Sequence, residues 1–331
     1  MKKKIIIGID VSKSTLDIFI HSFEYHFVVS NDPKGFVILL ETICKITGSS
    51  KSDLFFCFEN TGKYSRMLSV FFTTQEIIFV MAPSLEIKRS LGLTRGKNDK
   101  VDARRIATYA FEKKERLNPT VLPGEKIDRI KMLLSLREKL VKHRTSYKNG
   151  TIDVYDCYSE GETLIVKQVQ QRLIDNINLE VETIEREISR LIEKDEYMHK
   201  NYNLIVSVKG IGPIIAFYLI AYTVNFTTFA NARAFACYCG IAPFENSSGT
   251  KTSKPRVHFF ANKQIKALLN LAAMNAIKFN GEYKQYYNKR INELGKNKMS
   301  TLNIIRNKLV YRVFAVINRG TPYVDLYKYA A

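Results

Sequence analysis

The N-terminal part of the chain alternates short apolar runs with helix-like stretches. Residues 4–9, 16–20 and 25–30 are rich in β-branched and aromatic side chains, and the turns between them are too short for a crossover helix. Sequential strands joined in this way pair antiparallel, so the pattern predicts a three-stranded meander. Residues 33–46 are helical in pattern, and the nearly all-apolar run 53–58 predicts a strand covered on both faces.

A second helix–strand alternation follows that strand. The pattern predicts a helix over residues 63–72 and a strand over residues 77–80. The order is therefore three meandering strands followed by two helix–strand units. That order is typical of the α/β ribonuclease-H-like fold, which we predict for this part of the chain.

The middle of the chain lacks glycine between Gly161 and Gly210 and is apolar at helical spacing. Its apolar positions approach a heptad repeat, with charged and amide residues between them. They are Leu173, Ile177, Val181, Ile184, Ile188 and Leu191. Residues 127–148 are also helical in pattern, with a turn near 149–161. We predict an antiparallel coiled-coil arm available for dimerisation; the alternative is an ordinary helix pair packed on a domain.

The charge balance narrows the class of protein. Lysine and arginine number 51 against 32 acidic residues, a formal net charge of +19, and the last 87 residues hold 16 of those cations and 4 of the acids. Such a surplus indicates a polyanionic partner, either nucleic acid or an anionic membrane surface. The longest apolar run, residues 214–222, is less than half of the ~20 residues that a membrane span needs.

The N-terminal sequence and the cysteines indicate a cytoplasmic protein. The first apolar stretch is interrupted after three residues and meets Asp10, unlike the core of a signal peptide. The five cysteines are an odd number in mostly apolar surroundings, which is typical of reduced thiols rather than of a disulfide framework. Secreted, membrane-spanning and disulfide-stapled proteins are therefore not expected.

Four carboxylates occupy positions that suit a metal site. Asp10 ends the first predicted strand, Glu59 follows the strand at 53–58, and Asp99 and Asp102 are spaced i, i+3 at the start of a predicted helix. In a ribonuclease-H-like fold these strand ends and that helix converge. Clustered acids repel one another unless divalent cations lie between them, and Mg²⁺ prefers oxygen ligands. Taken singly, each acid is also an ordinary turn or helix-start residue.

Two segments of the C-terminal part are candidates for contact with nucleic acid. Lys209 precedes Gly210-Ile-Gly212 between two apolar helical stretches, a helix-hairpin-helix pattern whose glycines let backbone N–H groups approach a DNA phosphate. The alternative is a plain structural turn. Farther along, Ser248 lies in a polar Asn-Ser-Ser-Gly loop, where an exposed serine can act as a nucleophile or simply form a turn. Cations that could stabilise a phosphate under attack follow it: Lys251, Lys254 and Arg256.

Five motifs follow one another along the chain. They are Gly8-Ile-Asp-Val-Ser-Lys13, Glu59-Asn-Thr-Gly62, Lys97-Asn-Asp-Lys-Val-Asp-Ala-Arg104, Gly210-Ile-Gly-Pro213, and Gly240-Ile-Ala-Pro243 with Ser247-Ser248-Gly249. Together they resemble the transposases of the insertion-sequence 110 family, which also includes pilin-gene DNA invertases. The resemblance implies three domains: RuvC-like (ribonuclease-H-like) over 1–115, a coiled-coil arm over 116–203, and a mainly α C-terminal transposase domain over 204–331.

The resemblance also assigns roles. Asp10, Glu59, Asp99 and Asp102 match the family's metal-binding Asp-Glu-Asp-Asp set, which holds Mg²⁺ or Mn²⁺, and Ser248 matches its nucleophile, with Ser247 as the neighbouring alternative. Members are guided by a structured non-coding bridge RNA that pairs with double-stranded donor and target DNA. The implied protein acts on the nucleoid in the bacterial cytoplasm. Strand exchange needs four cuts, which suggests a dimer that becomes a tetramer in the synaptic complex.

The implied mechanism is attack by Ser248 on a phosphodiester, assisted by metal held by the four acids. One alternative is a junction-resolvase-like nuclease in which a metal-bound water attacks. A second is a non-catalytic nucleic-acid-binding protein in which the acids are structural. A third is an actin-like kinase, suggested by Gly8-Ile-Asp-Val-Ser12, although the sequence lacks the further glycine-rich phosphate loops of that class.

Overall fold

The structure is a computed structural model that describes residues 4–90, 98–149, 160–248, 251–257 and 261–325. For residues 160–162, 246–248 and 251–254 it describes the backbone alone. The chain divides between Leu122 and Pro123 into two compact units. The division into three domains at 115/116 and 203/204 stays a prediction.

The first unit is built on a five-stranded mixed sheet of order β3-β2-β1-β4-β5. Strands β1, β2 and β3 are antiparallel, and β4 and β5 continue the sheet parallel to β1. Its elements are β1 (Ile5–Val11), β2 (Thr15–Ile20), β3 (Tyr25–Ser30), α1 (Pro33–Thr47), β4 (Leu54–Glu59), α2 (Lys63–Thr74), β5 (Phe79–Ala82), α3 (Ser84–Ser90) and α4 (Asp99–Lys113). The predicted meander and the mixed α/β character of this part are confirmed.

The element bounds follow local signals in the sequence. Helix α1 begins where the Asp32 side chain accepts a hydrogen bond from the Gly35 N–H and ends at Gly48, which is left-handed with φ of 63°. Strand β5 begins two residues later than predicted. The reason is that the Ile77 N–H closes the turn after α2 by donating to the Phe72 carbonyl at 2.9 Å.

Both faces of the central strands are covered, as the all-apolar composition of β4 predicts. Alternate residues of β4 face opposite sides. Phe56 and Phe58 pack with the buried side chains of α1 and α2, whereas Phe55 and Cys57 pack with those of α4. The sheet is therefore the middle layer of the unit, and α4 covers the face that carries Phe55 and Cys57.

The second unit is mostly helical, as predicted. Its elements are α5 (Glu125–Asn149), α6 (Glu160–Glu193), α7 (Glu196–Val206), α8 (Pro213–Thr223), α9 (Ala232–Tyr238), β6 (Pro243–Ser248), β7 (Lys251–Val257), α10 (Lys263–Phe279), α11 (Gly281–Asn288), a π-helical turn (Lys289–Glu293) and α12 (Lys298–Arg319). The apolar helix α8 is buried along nearly its whole length among the other helices.

Helices α5 and α6 form the predicted antiparallel pair. Ion pairs join Arg129 to Glu187 and Arg137 to Glu185, each at 2.7 Å. Residues later in α5 therefore pair with residues earlier in α6, as they do in antiparallel helices. The apolar seam is buried from Val181 to Leu191 but not at Leu173, which is 37% exposed. The predicted turn at 149–161 lies almost wholly outside the described residues, and the coiled-coil arm stays a prediction.

Candidate active site

The carboxyl ends of β1 and β4 carry two of the predicted acids on one face of the sheet. The strands are parallel neighbours in register, which puts Asp10 and Glu59 side by side where the chain leaves the sheet. Successive side chains on a strand point to opposite faces. Asp10 therefore shares a face with Gly8, and Glu59 shares a face with Cys57. This is the face that α4 covers.

Glycine at position 8 allows α4 to lie directly on β1. A Cβ atom at this position would stand 2.3 Å from the backbone nitrogen of Ala107 and 2.4 Å from the carbonyl oxygen of Ala103. Contacts that short do not occur, so any larger residue would displace the helix. The first turn of the same helix carries Asp99 and Asp102, with Asn98 as its N-cap. The close packing at Gly8 thus sets how near these acids come to Asp10.

The electrostatics of Asp10 show that the other three predicted acids act on it. Burial is the largest cause that raises the pKa of Asp10, and the charges of Asp102, Asp99, Glu59 and Asp17 add to it in that order; together they raise the pKa from its ordinary 3.8 to about 6. A carboxylate in such surroundings is stabilised by a proton or by a cation. The other three sequence-predicted acids therefore lie within electrostatic reach of Asp10.

Two of the acids have protein partners in this arrangement. The Ser84 hydroxyl donates to Glu59 at 2.6 Å, and Arg105 pairs with Asp102 at 2.8 Å. Asp99 is exposed at the start of α4. Among the described residues no three Asp, Glu, His or Cys side chains lie close enough to hold a metal ion together. The donor set is chemically that of a magnesium site. Asp10 and Glu59 lie on the sheet face that α4 covers, and Asp99 and Asp102 lie in the first turn of α4.

A fifth acid in this region was not predicted. Asp17 lies opposite Asp10 in the β1–β2 ladder, is 9% exposed, and its Oδ1 lies 2.9 Å from Nε2 of His26. The available signal was a carboxylate inside an otherwise apolar strand, Leu16-Asp-Ile-Phe-Ile20, because a buried acid needs a partner. Ser84 and Arg105 carried no comparable signal, since serine and arginine are common at helix ends and on helix surfaces.

The candidate serine lies in the other unit, on a two-stranded hairpin. Ser248 is the last residue of β6, where it pairs with Lys251 of β7, and Ser247 pairs with Thr252. Gly249 lies outside the described residues. Lys254 also lies on β7, and Arg256, opposite Phe244, is exposed. The structure thus places the serine and the three predicted cations on one hairpin, with Ser248 at its turn end.

The base of this hairpin is tied to the surrounding helices by side chains that the sequence did not single out. Asn303 and Asn307 of α12 both donate to the carbonyl oxygen of Ile241, at 2.8 and 2.7 Å. Arg233 of α9 donates to the Pro243 carbonyl at 3.0 Å. After β7, the Asn262 side chain donates to the Tyr238 hydroxyl at 2.9 Å. The strand that carries Ser248 therefore begins from a fixed segment.

The predicted glycine turn joins α7 and α8. Lys209 is exposed, and Gly212 is the residue before Pro213 at the start of α8. Gly210 is left-handed with φ of 96°, and a Cβ atom there would stand 2.7 Å from the Cβ of Ala276 on α10. Gly210 is therefore needed for close helix packing, whatever the turn binds. The nucleic-acid role of the three residues stays a prediction.

None of the helices in the described part of the chain is both long and apolar enough to span a membrane. Known protein families match most of the chain in two blocks. Residues 7–159 match the DEDD transposase domain of IS110 elements, described as "Transposase". Residues 202–288 match a domain described as "Transposase IS116/IS110/IS902 family".

Curated relatives agree with these blocks. The chain is 26% identical over 328 residues to a protein named "Pilin gene-inverting protein" from Moraxella lacunata, which covers 97% of this chain and 98% of that protein. The protein of the same name from Moraxella bovis matches to the same extent. Over 140 residues the chain is also 26% identical to "Insertion element IS110 uncharacterized 43.6 kDa protein" of Streptomyces coelicolor, 42% of this chain and 33% of that protein.

Proposed function

The chain belongs to the insertion-sequence 110 family of transposases and is therefore a DNA transposase or recombinase, and from that premise we propose how it cuts and rejoins DNA. Asp10, Glu59, Asp99 and Asp102 hold divalent metal, and Ser248 attacks the phosphodiester. The observation that supports the proposal is the pKa of Asp10, which burial and the charges of the other three acids help to raise to about 6.

The sheet supports the assignment of the first unit to the ribonuclease-H-like, RuvC-like class. Its order β3-β2-β1-β4-β5 combines an antiparallel meander with two parallel strands, and the acids follow the carboxyl ends of the two central strands. Open sheets of this kind place functional side chains at those ends. The class of fold and the positions of Asp10 and Glu59 thus both favour a functional site at the carboxyl ends of β1 and β4.

The chemistry is a transesterification. The Ser248 oxygen bonds to phosphorus, and the bond from phosphorus to one deoxyribose oxygen breaks. The proton of the serine hydroxyl ends on that leaving oxygen, and the DNA is left joined to the protein. Bound Mg²⁺ or Mn²⁺ supplies charge neutralisation at the phosphate and stabilises the leaving oxygen. Lys251, Lys254 and Arg256 share the hairpin with Ser248 and supply further positive charge beside it. Reversal with a different DNA end rejoins the strands without hydrolysis.

Guidance by a bridge RNA and assembly into a tetramer are part of the proposal. They are supported by the family and by a net charge of +19, which is enough to hold RNA together with donor and target DNA. The proposed place of action is the bacterial nucleoid. Co-purification of the chain with RNA transcribed from its own flanking DNA tests the guide directly.

Covalent DNA–protein adducts test the serine. The chain, expressed with its native flanking DNA, is incubated with donor and target DNA in Mg²⁺ and denatured, and labelled DNA attached to protein is measured. We expect an adduct in wild type and in Ser247→Ala but not in Ser248→Ala, and no cleavage in Asp10→Asn. An adduct lost only in Ser247→Ala would move the nucleophile by one residue.

The closest competing function is a nuclease that uses a metal-bound water. It predicts cut DNA without an adduct, and equal cutting by wild type and Ser248→Ala. A non-catalytic nucleic-acid-binding protein predicts that Asp102→Ala changes stability but no reaction. An actin-like kinase predicts binding of ATP.

A further inference from the structure

Arg306 on α12 is a buried cation for which the described residues supply no partner. The residue is 4% exposed, its Nε is sealed from solvent, and no hydrogen bond or ion pair joins its guanidinium to any described residue. Its neighbours along the helix, Ile305, Leu309 and Val310, are buried and apolar. Burial lowers the pKa of Arg306, and no neighbouring charge or hydrogen bond opposes that shift.

Arg312, six residues along the same helix, has a carboxylate and two aromatic rings as partners, although its buried Nη1 lacks a hydrogen bond among the described residues. Its Nη2 lies 2.6 and 2.7 Å from the two carboxylate oxygens of Glu282, and its guanidinium lies over the rings of Tyr283 and Tyr323, at 4.6 and 5.1 Å. The two arginines lie on the same helix, but only Arg312 has an internal anion and aromatic faces beside it among the described residues.

An unpaired buried guanidinium is costly to the folded chain. Arginine does not deprotonate in proteins, so it cannot escape the cost as a buried lysine does. A buried charge is tolerated when it is paired, and the described residues offer Arg306 no acceptor. An anion whose oxygens accept two parallel N–H bonds would satisfy this guanidinium.

The position of Arg306 suggests where that anion lies. Asn303 and Asn307, one turn before and one residue after it, hold the Ile241 carbonyl, two residues before β6 begins. Arg306 is thus in the helix turn that supports the base of the hairpin carrying Ser248. Of the charged residues from 245 to the C-terminus, 16 are cations and 4 are anions, so a polyanion is attracted to this part of the chain.

We propose that Arg306 binds a backbone phosphate of nucleic acid beside the base of the β6–β7 hairpin. The guanidinium fork donates to two phosphate oxygens, and the phosphate supplies the anion that the described residues do not offer. The choice of nucleic acid as the ligand rests on the family to which the chain belongs. The proposal does not depend on Ser248 being the nucleophile. It carries no sequence readout, because phosphate contacts fix position and not base identity. The phosphate belongs either to duplex DNA or to a structured RNA.

Salt dependence of binding tests the contact and identifies its source. Affinities of the full chain for a DNA duplex and for a structured RNA from its own flanking sequence are measured at several salt concentrations. For Arg306→Met we expect weaker binding and a log–log salt slope smaller by about one in the arm that supplies the phosphate. Arg129→Met, which removes the same charge but one already paired with Glu187 at 2.7 Å, is expected to leave both slopes unchanged.

Thermal unfolding without nucleic acid supplies an independent readout. Arg306→Met should unfold at the same temperature as wild type or higher, because it removes an unpaired buried charge, whereas Arg312→Met should unfold at a lower temperature because it strands Glu282. Unchanged slopes in both arms, or an Arg306→Met chain that is less stable or does not fold, would make Arg306 structural and overturn the proposal. Adduct formation is not measured here, so this test and that of Ser248 can fail separately.

Discussion

Asp10 and Asp17 lie directly opposite each other on the antiparallel strands β1 and β2. Like charges in that relation destabilise a sheet, and Asp17 is among the charges that raise the pKa of Asp10. The Oδ1 atom of Asp17 lies 2.9 Å from Nε2 of His26, which is its partner. Asp10, in contrast, binds metal in our proposal. The two acids thus differ in partner although they share a ladder position.

Neutralising Asp17 should therefore lower the pKa of Asp10. In Asp17→Asn the charge is lost while the shape of the side chain is retained, so we expect the pKa of Asp10 to fall below about 6 but to remain above 3.8, since burial is the larger cause. Carboxyl-carbon NMR titration of the metal-free chain measures the shift. Asp53→Asn, on the same unit but not among the charges acting on Asp10, is the control. An unchanged titration in Asp17→Asn would contradict the proposed coupling.

Asp10 should also make the stability of the first unit depend on pH. Its folded pKa is raised, so protonated Asp10 contributes stability that is fully present below pH 3.8 and is lost as the pH rises through about 6. The loss is up to ~3 kcal/mol. Urea unfolding of wild type and Asp10→Asn from pH 4 to 8 measures it, because the variant lacks this titration. We expect the variant to be the more stable chain at pH 8.

Divalent metal should make wild type, and not Asp10→Asn, the more stable chain at pH 8. At pH 8, Mg²⁺ should raise the free energy of unfolding of wild type and leave Asp10→Asn nearly unchanged, because ligands that bind only the folded state stabilise it. The same unfolding measurement can be repeated with Ca²⁺, which accepts more oxygen ligands than Mg²⁺ and at longer distances. Parallel curves for the two chains, with and without Mg²⁺, would argue against Asp10 as a ligand.

Much of the first unit follows from its sequence. The alternating apolar runs give the strands, and the short turns between the first three runs give the antiparallel meander. The positions of Asp10 and Glu59 at strand ends follow from the same pattern. Asp17 was missed because period-two patterning describes which face a residue occupies, not which residue lies across from it; that depends on the register between strands.

The second unit shows the limit of local patterns more clearly. Hydrophobic spacing predicts α5 and α6, yet Leu173 of the predicted seam is exposed and its neighbour Ile174 is buried in its place. The anchors of the hairpin, Asn303 and Asn307, lie about 60 residues from the carbonyl that they bind. Contacts between residues so far apart in the chain have no signature in a single sequence.

Gly8 allows a direct test of the packing that positions the acids. Gly8→Ala puts a methyl group within 2.4 Å of the α4 backbone, so the helix must move. Overpacking of this kind typically costs about 1–3 kcal/mol. Gly124→Ala is the matched control, because a Cβ atom there meets nothing within 4 Å. Denaturant unfolding should show a loss for the first variant and almost none for the second, with the pKa of Asp10 altered only in Gly8→Ala.

The hairpin anchors should affect the rate of DNA cleavage more than the affinity for DNA. Asn303→Ala and Asn307→Ala each remove one hydrogen bond to the Ile241 carbonyl, a loss of about 1 kcal/mol, and the remaining amide still binds the same oxygen. The double variant leaves that buried carbonyl without either donor. We therefore expect its loss to exceed the sum of the single losses, as for any two groups that share a partner.

The readout is the rate at which the Ser248-dependent adduct forms at saturating DNA, compared with the dissociation constant of the same DNA. A fixed hairpin base matters for aligning an attacking group, because displacement of about 1 Å can cost a hundredfold in rate. Asn318→Ala, an exposed asparagine on the same helix, controls for general effects on α12. If the double variant formed adduct at the wild-type rate, the anchors would serve folding alone; equal losses of rate and affinity would indicate that the hairpin base binds DNA.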